Sequence, residues 1–239
     1  MRRLSFAGLA LLLVHALAGA QSPRAPELVA VGGVQVALPL PSGDVDAYAG
    51  GPDLRRFADQ STAPTNRMLA LFMAPEDMAA LRAARPLARD RMLAVQAYRK
   101  GEALIVGEQE FQGIKPQMRA PSDILAKALA AANEFKPDPG RPADILTKMG
   151  VPLQVGDVKS LGVFAETSRS ISSLLLTKYV AQIDGKPVKF PKAIAMNVVL
   201  LRGKVMFLYV YSRFECGADL DWVKAQAIAW LAAAAAANP

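Results

Sequence analysis

The sequence predicts an α+β fold: a central, mainly antiparallel sheet covered by helices on both faces, an α/β/α sandwich. Apolar runs rich in β-branched and aromatic residues alternate with turn residues along most of the chain. The last two predicted strands, 193–201 and 204–214, are apolar on both faces, which is expected of central strands. A long helix with an apolar stripe closes the chain and would cover one face of the sheet.

The first 20 residues have the pattern of a cleavable export signal. Two arginines precede an apolar stretch at 6–14, and Ala18 and Ala20 supply the small residues that signal peptidase requires. The stretch is shorter than the roughly 20 residues that a membrane-spanning helix needs. We therefore expect Sec-dependent export, cleavage after Ala20 and a periplasmic or secreted chain that begins at Gln21.

The mature chain would have about 219 residues, with a flexible leader at 21–27 and one globular domain at 28–239. Its net charge falls from +7 to +5 because the signal contains two arginines and no acid. The basic residues are scattered, which argues against nucleic-acid binding but is compatible with weak attraction to an anionic membrane or cell-wall surface.

The reactive residues exclude several kinds of site. The only histidine, His15, leaves with the signal, so the mature chain has no imidazole for a catalytic triad, a zinc site or a haem ligand. The only cysteine, Cys216, rules out an internal disulfide. We expect Cys216 to be a buried small residue where the last strand meets the last helix, and we predict neither a cofactor nor a metal.

Apolar periodicity and turn residues divide the domain into elements. The first half is predicted to contain two short strands within 28–41 around Gly32-Gly33, a helix at 52–60, a strand at 66–73, a helix at 74–84, a strand at 89–100 and a helical insert at about 104–150 with a helix at 123–135. The second half is predicted to contain strands at 157–167, 171–183, 193–201 and 204–214, hairpin turns at Asp184-Gly185 and Arg202-Gly203, and a closing helix at 219–237 with Asp219 as its N-cap.

Two motifs resemble metal sites, and for both we favour a structural role. The pairs Asp44/Asp46 and Asp219/Asp221 could supply oxygen ligands to Ca²⁺ or Mg²⁺, but the first lacks further acids and the second suits a helix start. Met68, Met73 and Met78 suggest soft copper ligands. Their five-residue spacing places Met68 and Met73 on opposite faces of a strand, which favours core packing.

Three further sets of polar residues are candidate sites. The serines at 168, 170, 172 and 173 lie near Lys178, but no S-x-x-K spacing links them and Ser172 would be about 20 Å from Lys178 along a strand. Glu108 and Glu110 suggest acid–base glycosidase chemistry but fit a solvated surface better. Asn197 interrupts an apolar strand, so it is either a core hydrogen-bonding bridge or the floor of a pocket, and the bridge is favoured.

The order of elements resembles the α/β/α sandwich of the PsbP and Mog1 group. The resemblance rests on the stretch Leu38-Pro39-Leu40-Pro41-Ser42-Gly43, on the strand at 66–73 and on the hairpin at 196–211 that leads into the last helix. It is one of layout over about two-thirds of the mature chain, and it carries no functional residue across. It implies an accessory or binding protein.

The leading functional prediction is an exported, non-enzymatic protein that binds another protein or an envelope component. One alternative is an envelope hydrolase that uses carboxylates or a Ser/Lys pair, since neither needs imidazole. Another is a carrier of a small apolar ligand, with Phe207, Tyr209 and Tyr211 lining a cavity. The partner and the oligomeric state stay open at this point.

Overall fold

The computed structural model describes residues 25–83, 85, 87–119, 154–183 and 186–239. Within these ranges the chain forms a two-stranded hairpin, a seven-stranded sheet and four α-helices. The elements are β1 Glu27–Val31, β2 Val34–Leu38, β3 Val45–Asp46, α1 Pro52–Gln60, β4 Asn66–Met73, α2 Pro75–Arg82, β5 Arg91–Tyr98, a 3-10 turn at Arg99–Gly101, α3 Glu108–Arg119, β6 Gln154–Thr167, β7 Ser170–Ile183, β8 Lys186–Leu201, β9 Lys204–Arg213 and α4 Gly217–Ala237.

The large sheet has the strand order β3-β4-β5-β9-β8-β7-β6, and every neighbouring pair is antiparallel. The predicted α+β class with a mainly antiparallel sheet is thus confirmed. In the register of β5 and β9, Arg91 lies opposite Ser212 and Ala97 opposite Met206. We call the end of the sheet where β5 starts and β9 ends the lower end, and the opposite end the upper end.

β8 starts at Lys186, earlier than the predicted 193, although it contains Pro187 and Pro191. β9 ends at Arg213, which lies opposite Lys192, so the first part of β8 pairs with β7 alone. A proline is tolerated in such an edge segment because its missing N–H faces away from the partner strand. The predicted helix at 123–135 and the turn at Asp184-Gly185 lie outside the described residues.

Alternate residues of β9 enter different hydrophobic clusters. Met206, Leu208 and Val210 pack in the largest cluster, to which α4 contributes Val223, Ala227 and Trp230. Tyr209 and Tyr211 pack instead against a cluster that contains Leu54 of α1 and Leu81 of α2. A third cluster joins Phe111 of α3 to Val198 and Leu200 of β8.

The expectation that Met68 and Met73 lie on opposite faces of their strand is wrong. Both are buried in the same cluster, and Met78 packs against it from α2. The pairing of β4 with β5 shifts between Met68 and Ala70, which marks a β-bulge. The extra residue changes the alternation of side chains, so two methionines five apart come to the same side.

The start of α4 differs from the prediction in two ways. Cys216, not Asp219, is the N-cap, and Asp219 is the N3 residue whose carboxylate accepts the N–H of Cys216 at 3.0 Å and of Glu215 at 2.9 Å. These two bonds lower the pKa of the Asp219 carboxyl. Cys216 is exposed, not buried as predicted, because the cap residue takes an extended conformation outside the packed part of the helix.

Hydrogen bonds join the C-terminal end of α4 to the hairpin of β1 and β2. The side chain of Asn238 accepts the N–H of Ala37 at 2.9 Å and donates to the carbonyl of the same residue at 2.7 Å. Within the described ranges, no helix combines the length and the apolar character needed to cross a membrane.

Replacing Trp230 with alanine should lower the free energy of unfolding by about 3–5 kcal/mol, as truncation of a buried aromatic residue does. Trp230 is 3% exposed, meets Phe72 edge to face at 5.9 Å and donates its indole N–H to the carbonyl of Pro39 at 3.0 Å. The urea midpoint measures the loss. Lys224→Ala, on the partly exposed side of α4, is the control and should change stability by no more than about 0.5 kcal/mol. An unchanged midpoint for Trp230→Ala would contradict the role of α4 as a core element.

Candidate functional site

At the lower end of the sheet, the loop between α2 and β5 is organised by Asp77, which is fully buried. One carboxylate oxygen accepts the N–H of Ala88 at 2.6 Å and of Arg89 at 3.0 Å, and the other accepts the N–H of Asp90 at 2.9 Å. A buried carboxylate is tolerated when charge-assisted hydrogen bonds of this kind replace its water. The loop therefore enters β5 with its backbone held in place.

Asp90, the last residue of this loop, has a left-handed backbone conformation with a φ angle of 53°. Such a conformation is uncommon outside glycine but is found more often for aspartate than for most residues. Its carboxylate pairs with the buried amine of Lys192 and lies 3.4 Å from Nε of Arg213. Burial lowers the pKa of the Lys192 amine below its usual range, and the charge of Asp90 opposes that shift.

Beside these paired charges lies an open cleft of about 370 Å³, which we call the arginine cleft. The cleft is lined by residues from the α2–β5 loop, from the ends of β5 and β9, and from the start of α4: Ala88, Arg89, Arg91, Ser212, Arg213, Glu215 and Asp219.

The three arginines of the cleft differ in their partners. Arg89 pairs with Glu76 at 2.6 Å, and Arg213 lies 3.4 Å from Asp90 and 3.5 Å from Glu215. The guanidinium of Arg91 instead lies over the ring of Trp222, 4.1 Å from its centre. Among the described residues, no carboxylate is within ion-pair distance of Arg91. The charge of Arg91 nevertheless acts on Asp219 of the same cleft and helps to lower the pKa of that carboxyl. The aromatic ring supports the guanidinium plane.

A carboxyl group close to the cleft has an altered pKa. Burial raises the pKa of Asp44 to about 6, Arg89 opposes that shift, and the charges of Glu76 and Asp77 add to it. Asp44 thus changes its charge near neutral pH, and the potential around Arg89 becomes more positive as the pH falls through this value.

The two Asp-x-Asp pairs make separate local contacts. Asp46 accepts the backbone N–H groups of Tyr48 and Ala49, at 2.8 and 3.2 Å, and Asp221 lies 3.3 Å from Lys224. In the described part of the chain, no group of three or more His, Cys, Asp or Glu side chains is placed to hold a metal ion.

Asn197 is fully buried, and its amide donates to the carbonyl of Leu208 on β9 at 2.6 Å. Among the described residues, its side-chain oxygen has no hydrogen-bond partner. The same is true of the hydroxyl of Ser172, which is directly opposite on β7 and also buried. Whether Asn197 is a core bridge or the floor of a pocket stays a prediction.

The serines near Lys178 differ in exposure. Ser170 and Ser173 are buried, whereas Ser168 and Lys178 are exposed.

Glu108 and Glu110 both lie in the first turn of α3 and are exposed. Glu108 pairs with Arg169 at 3.4 Å, and Glu110 accepts the N–H of Gly107 at 2.7 Å.

The arginine cleft was not predicted from the sequence. One local signal was present, the charged triplet at 89–91 directly before an apolar strand.

Comparisons of the chain with protein-family models, with curated proteins and with solved structures found no match. Fold and site together therefore define it as an α+β protein with an open, arginine-lined cleft at one end of an antiparallel sheet.

The raised pKa of Asp44 predicts a pH-dependent effect of Asp44→Asn. The folded-state pKa of about 6 exceeds the ordinary value of 3.8 for an aspartate, so the wild type loses stability as the pH rises between these values. At pH 7.5 the variant should be more stable by about 1 kcal/mol, a modest figure because the half-buried carboxyl is partly screened by solvent. Urea midpoints of both proteins should converge near pH 4. A difference that is the same at both pH values would contradict the raised pKa.

Proposed function

We propose that this chain is an exported, non-enzymatic binding protein of the cell envelope that holds an anionic group, a carboxylate or a phosphate, in the arginine cleft. The observation that supports this most directly is the guanidinium of Arg91, which is stacked on Trp222. Among the described residues no carboxylate lies within ion-pair distance of it, and Asp219 acts on it only at longer range. A stacked guanidinium loses little further freedom when it binds, and its planar fork matches both anions.

The neighbouring charges support one anionic group rather than a broad anion-binding surface. Arg89 and Arg213 already have carboxylate partners, so they contribute mainly potential and shape. Ser212 lies opposite Arg91 and borders the cleft, but it is buried. Arg91 is therefore the group proposed to hold the oxygens of one ligand.

The chemistry of the cleft favours binding over catalysis. Ser212 lies opposite Ala193, so the adjacent Lys192 belongs to the other face of the sheet. The amine of Lys192 is also engaged by Asp90. A Ser–Lys nucleophile pair therefore does not form between these two residues, and the proposed mature chain has no imidazole to serve as a base.

The proposed location rests on the N-terminal sequence. The positive start, the short apolar stretch and the Ala18-Gly19-Ala20 site favour export and cleavage before Gln21. In the periplasm or outside the cell, the partner would be a protein or another envelope component that carries the anionic group.

We also propose that helices cover both faces of the sheet, in a layout like that of the PsbP and Mog1 group. The packing of β9 supports this proposal, because its alternating residues enter one cluster with α4 and others with α1, α2 and α3. A sheet packed on both sides can expose its loops only at its two ends, which is where the cleft lies.

Two other functions have one supporting observation each. Asp44 has a pKa of about 6, raised in part by the charge of Glu76, and such a carboxyl suits a general acid in an envelope hydrolase. Hydrolysis that is lost in Asp44→Asn would favour the hydrolase.

The second alternative is a carrier. Phe207, Tyr209 and Tyr211 form a stacked row with centroid distances of 6.3 and 5.8 Å, which suits an apolar ligand. Quenching of tyrosine fluorescence by an apolar probe would favour the carrier.

Arg91→Ala should weaken the binding of citrate or inorganic phosphate at least about tenfold, because a hydrogen bond to a charged group contributes roughly 1.5–3 kcal/mol. Arg91→Lys should also bind more weakly, since an ammonium group cannot form the same fork. Isothermal titration calorimetry at low ionic strength measures both.

The matched control is Arg55→Ala, because Arg55 also stacks on an aromatic ring, that of Tyr48, but lies outside the cleft. It should bind both anions like the wild type. Equal affinities for Arg91→Ala, Arg55→Ala and the wild type, with unchanged urea midpoints, would rule out Arg91 as the anion-binding group.

A further inference from the structure

A loop at residues 98–106 lies at the upper end of the sheet, and a buried lysine donates hydrogen bonds to its backbone. Lys204 is 1% exposed, and its amine donates to the carbonyl of Glu102 at 2.7 Å and of Leu104 at 3.0 Å. The N–H of Val106 donates to the carbonyl of Gly203 at 2.8 Å. These bonds fix the path of the loop over the β8–β9 turn.

The same loop is also held from the side. Arg67 donates two hydrogen bonds to the carboxylate of Glu102, at 2.8 and 2.7 Å, and a third to the carbonyl of Ala30 on β1. Gly32, at the tip of the β1–β2 hairpin, packs so closely that a Cβ atom there would overlap the carbonyl oxygen of Glu102. The loop is therefore fixed on two sides.

This anchored loop presents apolar side chains to solvent. Leu104 is 61% exposed and Ile105 65% exposed, and Tyr98 at the start of the loop is 42% exposed. Single exposed apolar residues are ordinary, but here three lie within nine residues of one anchored loop, and we call Tyr98, Leu104 and Ile105 the patch.

Cations border the patch. Arg99 and Lys100 belong to the same loop, and Arg202 precedes the glycine that contacts Ile105. All three are exposed, and within the described ranges no carboxylate is in ion-pair distance of any of them. Arg202 also donates one hydrogen bond to the carbonyl of Gln35 at 2.9 Å. The nearby acids are engaged, Glu102 by Arg67 and Glu108 by Arg169. The rim of the patch is thus positively charged.

We propose that this loop docks the protein on an anionic lipid bilayer, with Leu104 and Ile105 inserted among the acyl chains and Arg99, Lys100 and Arg202 on the lipid phosphates. An apolar tip within a positive rim matches the interface of such a bilayer, which attracts basic residues and accepts aliphatic side chains. β5 separates the loop from the arginine cleft by eight residues, roughly 25 Å. A docked chain would leave the cleft open to solvent.

The test is flotation of the mature chain with vesicles of phosphatidylcholine alone and of equal parts phosphatidylcholine and phosphatidylglycerol. The wild type should float only with the anionic vesicles, and added salt should release it because exposed charges are screened. The Leu104→Ser/Ile105→Ser variant should bind at least about tenfold more weakly, since two aliphatic side chains no longer insert. Arg99→Gln should bind about fivefold more weakly.

Two controls separate the outcomes. Ile228→Ser changes an aliphatic residue on α4 that is 51% exposed, and it should float like the wild type. Arg91→Ala should also float normally, so failure of anion binding in the cleft leaves this test unaffected. A wild type that stays in solution with both vesicles overturns the proposal and leaves the loop to a protein partner. Equal flotation of the Leu104→Ser/Ile105→Ser variant and the wild type overturns it as well.

Discussion

The carboxylate of Asp77 accepts the backbone N–H groups of three consecutive residues, Ala88, Arg89 and Asp90. These bonds replace the water that a buried carboxylate loses, and they hold the chain at the point where it enters β5. The left-handed turn at Asp90 then directs its side chain to Lys192, and the next residue, Arg91, starts β5 beside α4. The arrangement of the arginine cleft thus depends on one charged group that lies beneath it.

The upper end of the sheet uses the same principle with the opposite charge. Lys204 is buried and donates to backbone carbonyls, and it holds the loop that carries Leu104 and Ile105. Removing either charge would leave backbone groups of its loop without their hydrogen-bond partner, which is costly when they are buried. We therefore interpret Asp77 and Lys204 as residues that define loop conformation. Both proposed binding surfaces lie at the ends of the sheet, beside these two buried groups.

Much of the fold in the described residues could be predicted, because strands and helices follow from local patterns. β4 lies at the predicted 66–73, and the turn at Arg202-Gly203 has the positive φ angles, 49° and 77°, that its sequence predicts. The errors concern features without a local pattern, such as the bulge beside Met68 and the exposure of Cys216. The site was missed for the same reason. Arg91 and Ser212 are far apart in the sequence, and only the register of β5 on β9 brings them together.

The central claim, that Arg91 is the anion-binding group of the cleft, is tested most directly by NMR of the arginine side chains during titration with inorganic phosphate. The account predicts a saturable shift of the Nε–H resonance of Arg91 and little change for Arg55, which stacks on Tyr48 outside the cleft. Arg89 and Arg213 should move less than Arg91, since their carboxylate partners already engage them. Equal, unsaturable shifts of all four arginines, or a shift of Arg55 larger than that of Arg91, would contradict the account.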